Sequence, residues 1–369
     1  MAERELALPS WEPRVTAELE RAQRAVLLLG RATPTNLGAE LQRLELAYRH
    51  NDAELPRFEY EPSPPSDLEQ ELQRLADELE RIGGPLAELY AARARELALE
   101  QALCTAAGSP SFWSRARERY RAAGTFGREA DLLAESWVAE TDGTRADDEL
   151  DETETSVSDD ERDPQSLVSR MLRAVGERKL PVRVLVSDRL SALAATGSGV
   201  ILIAKGRRIR REDVERTVLH EVQGHALPRE RGLSRALGLF HIGTAGGSDD
   251  QEGRALGLEK THGFLRGARR VELARRHRAC RSVEAGADFG ATVRGLTDVE
   301  TPLGVALRIA ARAHRGGGLG REVVYLPSYL KVRAALRAAP HLDEVLGCGR
   351  ISVEAASALA PWLHLTRVS

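Results

Sequence analysis

The chain has 369 residues, 42% hydrophobic and 30% charged, with a net charge of -3. This length allows two folded units with sizeable cores, and the near-neutral balance excludes nucleic-acid attraction through overall charge. Cys104, Cys280 and Cys348 are odd in number and far apart, which excludes a disulfide framework or a paired-cysteine metal site and fits a reducing, cytoplasmic setting.

The opening segment MAERELALPSWEPR is acidic in part and has no apolar core, and the nearby run AVLLLG at 25–30 is too short to span a bilayer. No membrane association is expected. Residues 14–30 and 66–104 repeat Leu, Ala, Glu and Arg at helical spacing, with Leu68, Leu72, Leu75 and Leu79 on one stripe. TPTNLGAE at 33–40 and LPRFEYEPSPP at 55–65 mark turns or extended segments between helices. Residues 1–139 thus read as a helical N-terminal region. Residues 140–164 hold about a dozen acidic groups and almost no large apolar ones, a composition that predicts an acidic linker or flexible loop ahead of a second region, 165–369.

The pattern then changes. LPVRVLVSD at 180–188 and GVILIAKG at 199–206 are short β-branched runs bounded by Pro, Asp and Gly, and predict two strands. In RREDVERTVLHEVQGH, the apolar Val214, Val218, Leu219 and Val222 predict an amphipathic helix. Further helices are expected at about 252–262, 268–285, 298–314, 328–338 and 352–360, with Thr297 or Asp298 and Ser352 as N-caps and Gly316 to Gly318 interrupting the pattern. The fold class is α+β, predominantly helical. The basic stretch RGARRVELARRHR at 266–278 lacks interleaved aromatics and reads as a solvated helix face, so no nucleic-acid partner is expected.

Within VLHEVQGHALP, at 218–228, His220, Glu221 and His225 form a His-Glu-x-x-x-His pattern. Nine histidines in a chain of this length produce it by chance on the order of a few per cent of the time. Two imidazoles and a carboxylate suit zinc, which in catalytic sites takes three protein ligands and keeps a fourth position open. On a regular helix, residues five apart differ by roughly 140° and do not share a face. A π-bulge closes that gap to roughly 50°, and Gly224 permits such a distortion or ends the helix. The third ligand must come from elsewhere. Glu252, read as an acidic residue opening a helix, is the leading candidate, with Asp249, Asp250, His241 and His262 as rivals.

LHEVQGH followed by DDQEGRALGLE resembles the tubulin-type tyrosine carboxypeptidase family, whose bacterial members carry the label flavohemoglobin expression-modulating QEGLA motif proteins. The resemblance extends through TPTNLGAELQRL (Pro34, Asn36, Glu40), LPRFEY (Pro56, Phe58, Tyr60), HRGGGLGREVVYLPSYL (Arg315, Gly316, Tyr325) and GRISVEAA (Gly349). It implies a zincin-like metallopeptidase domain, with short strands preceding the His-Glu-x-x-x-His helix. It also implies one Zn2+ per chain on His220, His225 and Glu252, and Glu221 as the catalytic glutamate. The chain departs from the family pattern in QEGRA for QEGLA, in Gln223-Gly224 for Gly-Thr, and in GREVVY for a Thr-Lys-Asp run.

The expected function is zinc-dependent peptide-bond hydrolysis of carboxypeptidase type, on a peptide or protein C-terminus, with Glu221 as general base on a zinc-bound water. A carboxypeptidase also needs a cation for the substrate carboxylate, and Arg312, Arg315 and Arg321 are candidates by their bidentate geometry. Tyr325 is a candidate donor to an oxyanion. Two other readings stand beside this one: a catalytically silent regulatory or interaction protein that keeps the fold, and a zinc amidohydrolase acting on a small amide.

Overall fold

The computed structural model describes residues 7–366 except 51, 53, 121–124, 140–154, 189, 191, 198 and 300. Helices dominate, with five short strands among the described residues. The fold is therefore a mostly helical α+β arrangement. The predicted linker falls largely on 140–154, which lie outside the described residues; the remainder, 155–164, forms a strand and turns. No helix among the described residues is long and apolar enough to cross a membrane.

The chain divides into two compact units, neither continuous in sequence. The first comprises Met1–Leu8, Gly143–Arg269 and Lys331–Ser369, and the second Pro9–Asp142 and Arg270–Leu330. This division differs from the sequence partition at 1–139, 140–164 and 165–369 by joining 270–330 to the helical N-terminal part.

The first unit is organised around a three-stranded sheet. Its strands are β2 (Arg183–Ser187), β3 (Ala194–Thr196) and β4 (Val200–Ala204); β1 (Thr155–Val157) and β5 (Arg208–Arg210) form a separate antiparallel pair. In the order β2-β4-β3, β2 lies parallel to β4 and β3 antiparallel to it, with Ala195 opposite Leu202. Gly199, at φ +72°, makes the turn between β3 and β4, where a side chain would be strained. Ile201 and Ile203 alternate onto the buried face, as a period of two requires. They meet Leu167 and Met171 from the helix Leu167–Glu177 and Val214, Val222 and Ala226 from the helical run after β5. Each fully buried aliphatic side chain there contributes roughly 1.5–3 kcal/mol. The predicted strands at 180–188 and 199–206 contain β2 and β4. The three-residue strands β1, β3 and β5 were not expected, being too short to show a pattern.

In the second unit, the helices Leu68–Ile82 and Pro85–Ala106 form a hairpin through Gly83 and Gly84, both at positive φ. The Leu72, Leu75 and Leu79 stripe is buried there, as predicted. Asn36 clamps the extended segment beyond residue 54: its amide nitrogen donates to the Arg57 carbonyl and its amide oxygen accepts from the Glu59 amide. Glu40 accepts from the Arg57 amide and from Arg43. The helix expected at 298–314 is instead two, Phe289–Thr297 and Leu303–Ala313. Thr297 ends the first and Asp298 follows it, so neither is an N-cap. Pro302 explains the break, since proline drives the residue before it out of helical conformation. Ser352 is an N-cap as expected, its hydroxyl accepting from the Ala355 amide.

Candidate metal centre

After β5 the chain runs as one helical stretch from Arg211 to Leu233, but its middle, Leu219–Ala226, is a π-helix. The Leu227 amide bonds to the Val222 carbonyl, five residues back. Pro228 has no N–H to extend that ladder, and ordinary helix resumes around it. The wider turn brings His220 and His225 to one side, ring centroids 4.9 Å apart, while Val222 and Ala226 stay in the core. The five-residue spacing thus coincides with the one backbone irregularity that puts both rings together.

Facing this bulged helix is the helix Gly247–Thr261. Positions 252, 255 and 259 fall along one side of it, three and four residues apart. A Cβ on Gly224 would lie 2.8 Å from the Ala255 Cβ, so only glycine lets the two helices come this close. The result is convergence on a single atom: Glu252 Oε2 lies 3.3 Å from His220 Nε2 and 3.6 Å from His225 Nε2. Ligands of a tetrahedral zinc ion stand roughly 3.4 Å apart, given bonds of about 2.0–2.2 Å. This is the only group of three potential metal-ligating residues of such geometry among the described residues. Glu252 does not open its helix, as the sequence reading had it; it lies in the second turn and is buried. Helix-dipole stabilisation of a surface charge is therefore not its role.

The remaining imidazole nitrogens are held from behind. His220 Nδ1 lies 2.8 Å from Glu259 Oε1, and His225 Nδ1 lies 2.9 Å from Gln251 Oε1. The Gln251 amide nitrogen donates to the Gly349 carbonyl at 3.3 Å, which turns its oxygen toward His225. Glu259 accepts from Arg269 through Nε and Nη2, both at 2.9 Å. Both Nδ1 atoms therefore donate to the groups behind them, and both Nε2 atoms are turned toward Glu252. Two Nε2 atoms and a carboxylate oxygen facing one another form a site that attracts a cation, a metal ion or a proton. The same carboxylates pull positive charge onto the site: burial works against a charged His220, yet Glu252 and Glu259 outweigh it and raise its pKa to about 10, so with no metal bound a proton on His220 takes the cation's part. For Glu259, burial raises the pKa, and Arg269 and His220 more than reverse this, holding the carboxyl well below its usual range.

The N-terminal end of the Glu252 helix is anchored by the Gly349–Ser352 segment. A Cβ on Gly247 would fall 1.9 Å from the Arg350 carbonyl oxygen, and Asp250 Oδ2 accepts from the Val353 amide at 2.8 Å. Asp250 also pairs with Lys331 at 2.8 Å, which commits it elsewhere than the metal cluster. Of the other rivals, His241 Nε2 lies 2.8 Å from the Arg235 carbonyl oxygen and His262 Nδ1 lies 2.9 Å from that of Leu258. Neither joins the cluster, nor does Asp249. Glu221, next to His220 on the bulged helix, is buried, and Thr196 Oγ1 of β3 donates to its Oε2 at 2.7 Å. Thr196, Gln251 and Glu259 were not singled out from sequence. Glu259 had a signal, since it follows Glu252 by seven residues and so shares its helix face.

Arg312, Arg315, Arg321 and Tyr325 belong to the second unit. Arg312 directs Nε and Nη2 onto Glu322 Oε1, at 3.0 and 2.7 Å. Arg315 is buried, and burial with the neighbouring Arg312 lowers its pKa to about 10. Burial pushes Glu322 up, but Arg312, Arg276 and Arg315 together bring it down to about 2. The Arg321 guanidinium lies 5.9 Å from the centre of the Tyr325 ring. The glycine run packs against aromatic rings: a Cβ on Gly316 would lie 2.4 Å from Phe112, and one on Gly318 would lie 2.9 Å from Trp113. His277, in the basic stretch, is buried, with Nε2 2.8 Å from Asp131 Oδ1, so that stretch is not solvated throughout.

The family model for the microtubule-associated tyrosine carboxypeptidase matches residues 48–366, nearly the whole chain. No curated protein matches the chain. The chain belongs to the microtubule-associated tyrosine carboxypeptidase family, and the chemistry that membership implies is that of a carboxypeptidase.

Proposed function

We propose that the protein is a zinc-dependent carboxypeptidase of zincin-like build, in which His220, His225 and Glu252 hold one zinc ion per chain. The observation that carries this reading is the convergence of His220 Nε2, His225 Nε2 and Glu252 Oε2 on one point, with both imidazoles oriented from behind by Glu259 and Gln251. A small mixed sheet leading into the helix with His220 and Glu221 supports the zincin-like assignment. When bound there, zinc supplies a Lewis acid for the scissile carbonyl and lowers the pKa of a coordinated water.

The protein's own residues do the rest. Glu221 takes the proton from the attacking water and returns it to the leaving amine. Thr196, donating to Glu221 Oε2, fixes the orientation of that carboxylate and leaves Oε1 to handle the proton. A peptide or protein with a free C-terminus is the substrate. A structural or silent site has no use for a buried carboxylate held by a hydroxyl beside its first ligand.

The test compares peptides that differ only at their C-terminus, free acid against amide, incubated with zinc-reconstituted protein and read by mass spectrometry. Release of the terminal residue from the acid alone supports the reading. Internal cuts, equal cleavage of both, or no cleavage contradict it.

A further inference from the structure

The two imidazoles of the cluster are backed differently. His225 leans on a neutral amide, Gln251, whereas His220 leans on Glu259, a carboxylate with no exposed surface. Glu259 is itself engaged from the other side: Arg269 Nε reaches Oε2 and Arg269 Nη2 reaches Oε1, both at 2.9 Å. Arg216, paired with Asp213 at 3.1 Å, approaches Oε1 to 4.0 Å. Every group facing Glu259 in this set is a donor, so the carboxylate has no choice of role. It accepts, and His220 must place its proton on Nδ1.

We propose that Glu259, clamped by Arg269, is the positioning residue that sets the metal affinity of this site. It fixes the tautomer and ring angle of His220 and adds a full negative charge behind the imidazole, which raises the basicity of Nε2. Carboxylates placed behind a ligating histidine in this way typically account for 10- to 100-fold in metal affinity. Gln251 supplies orientation without charge, so the larger share falls to Glu259. The inference rests on the zinc reading above and goes beyond it, since it concerns a residue that touches neither metal nor substrate.

Glu259→Gln is nearly isosteric but cannot satisfy its neighbours. An amide nitrogen in place of Oε2 meets the Arg269 Nε–H, and one in place of Oε1 meets both Arg269 Nη2 and the His220 Nδ1–H. The experiment uses the full chain, stripped of metal and titrated with zinc against a chromophoric chelator, with visible spectra of the cobalt(II)-loaded forms. Glu259→Gln is expected to bind zinc about 10- to 100-fold more weakly and to shift the cobalt bands, and Glu259→Asp to recover part of the affinity. A purely structural role predicts a lower melting temperature with unchanged bands. A folded Glu259→Gln protein with wild-type affinity and spectrum overturns the inference while leaving the zinc reading intact. A wild-type protein that takes no zinc overturns the zinc reading, and this inference with it. Should Glu259→Gln not fold, Arg269→Lys decides the matter: it keeps the charge but loses the fork, and unchanged affinity there also overturns the inference.

Discussion

Two buried polar clusters in this protein each set a carboxylate among nitrogen-bearing side chains and reach opposite solutions. In the second unit, Glu322 sits among arginines, Arg312 puts Nε and Nη2 on its Oε1, and attraction of opposite charges holds the group together. In the first unit, His220, His225 and Glu252 turn two Nε2 atoms and a carboxylate oxygen toward one another, and both Nδ1 atoms are committed to the groups behind them. The difference lies in the nitrogen groups: a guanidinium can only donate, whereas an imidazole can also offer a lone pair. Fixed cations around a carboxylate can serve as structure alone, whereas imidazoles and a carboxylate turned toward one another call for a cation between them.

The sharpest way to break this comparison is at Glu221. Glu221→Gln is expected to lose about 10²- to 10⁴-fold in turnover while keeping its zinc, read by peptide hydrolysis beside metal analysis. Retained turnover contradicts the role given to this carboxylate. Next in size is Glu322→Gln, which leaves buried arginines uncompensated and should cost about 3–5 kcal/mol of stability in urea unfolding without altering metal content. Loss of zinc in that variant would mean that the two clusters are not independent. The same carboxylate predicts an acid limit. Its folded pKa, about 2, lies below the ordinary 4.5, so its stabilising contribution is present above pH 4.5 and is lost as pH falls toward 2. The shift corresponds to roughly 3 kcal/mol, and this component of the acid transition should be absent from Glu322→Gln.

Gly224→Ala tests the close approach of the two helices that carry His220, His225 and Glu252. The added methyl would lie 2.8 Å from the Ala255 Cβ, and overpacking of this kind costs about 1–3 kcal/mol. Better helix propensity returns up to about 1 kcal/mol, so a net loss of stability with weaker zinc binding is expected. A stabilised variant with unchanged affinity would remove the glycine from the account. The smallest effect is expected for Thr196→Val, which deletes one hydrogen bond to Glu221. Turnover should fall roughly tenfold, in line with about 1.5 kcal/mol for a bond to a charged group, at unchanged zinc content.

Much of the metal cluster was legible in sequence because helical spacing is a local property. His220, His225 and Glu252 stood out by residue type, and the need for a π-bulge followed from counting residues around a turn. The structure contains that bulge, at Leu219–Ala226. What lay beyond local reading was whatever depends on distant partners. Thr196 reaches Glu221 from a three-residue strand with no pattern of its own, and the Gly349 carbonyl orients Gln251 from 98 residues away. The interleaving of the two units was hidden for the same reason, because composition and periodicity say nothing about which distant helices share a core. The glycines at 316–318 read in sequence as a break in the helical pattern, whereas at Gly316 and Gly318 they make room for Phe112 and Trp113.

The most direct test of the central claim is elemental analysis of the purified, zinc-reconstituted protein beside His225→Ala. About one zinc per chain in the wild type, lost in the variant, is the result predicted by acceptors converging across a π-bulge. No stoichiometric metal in the wild type, or equal metal in both proteins, would contradict it.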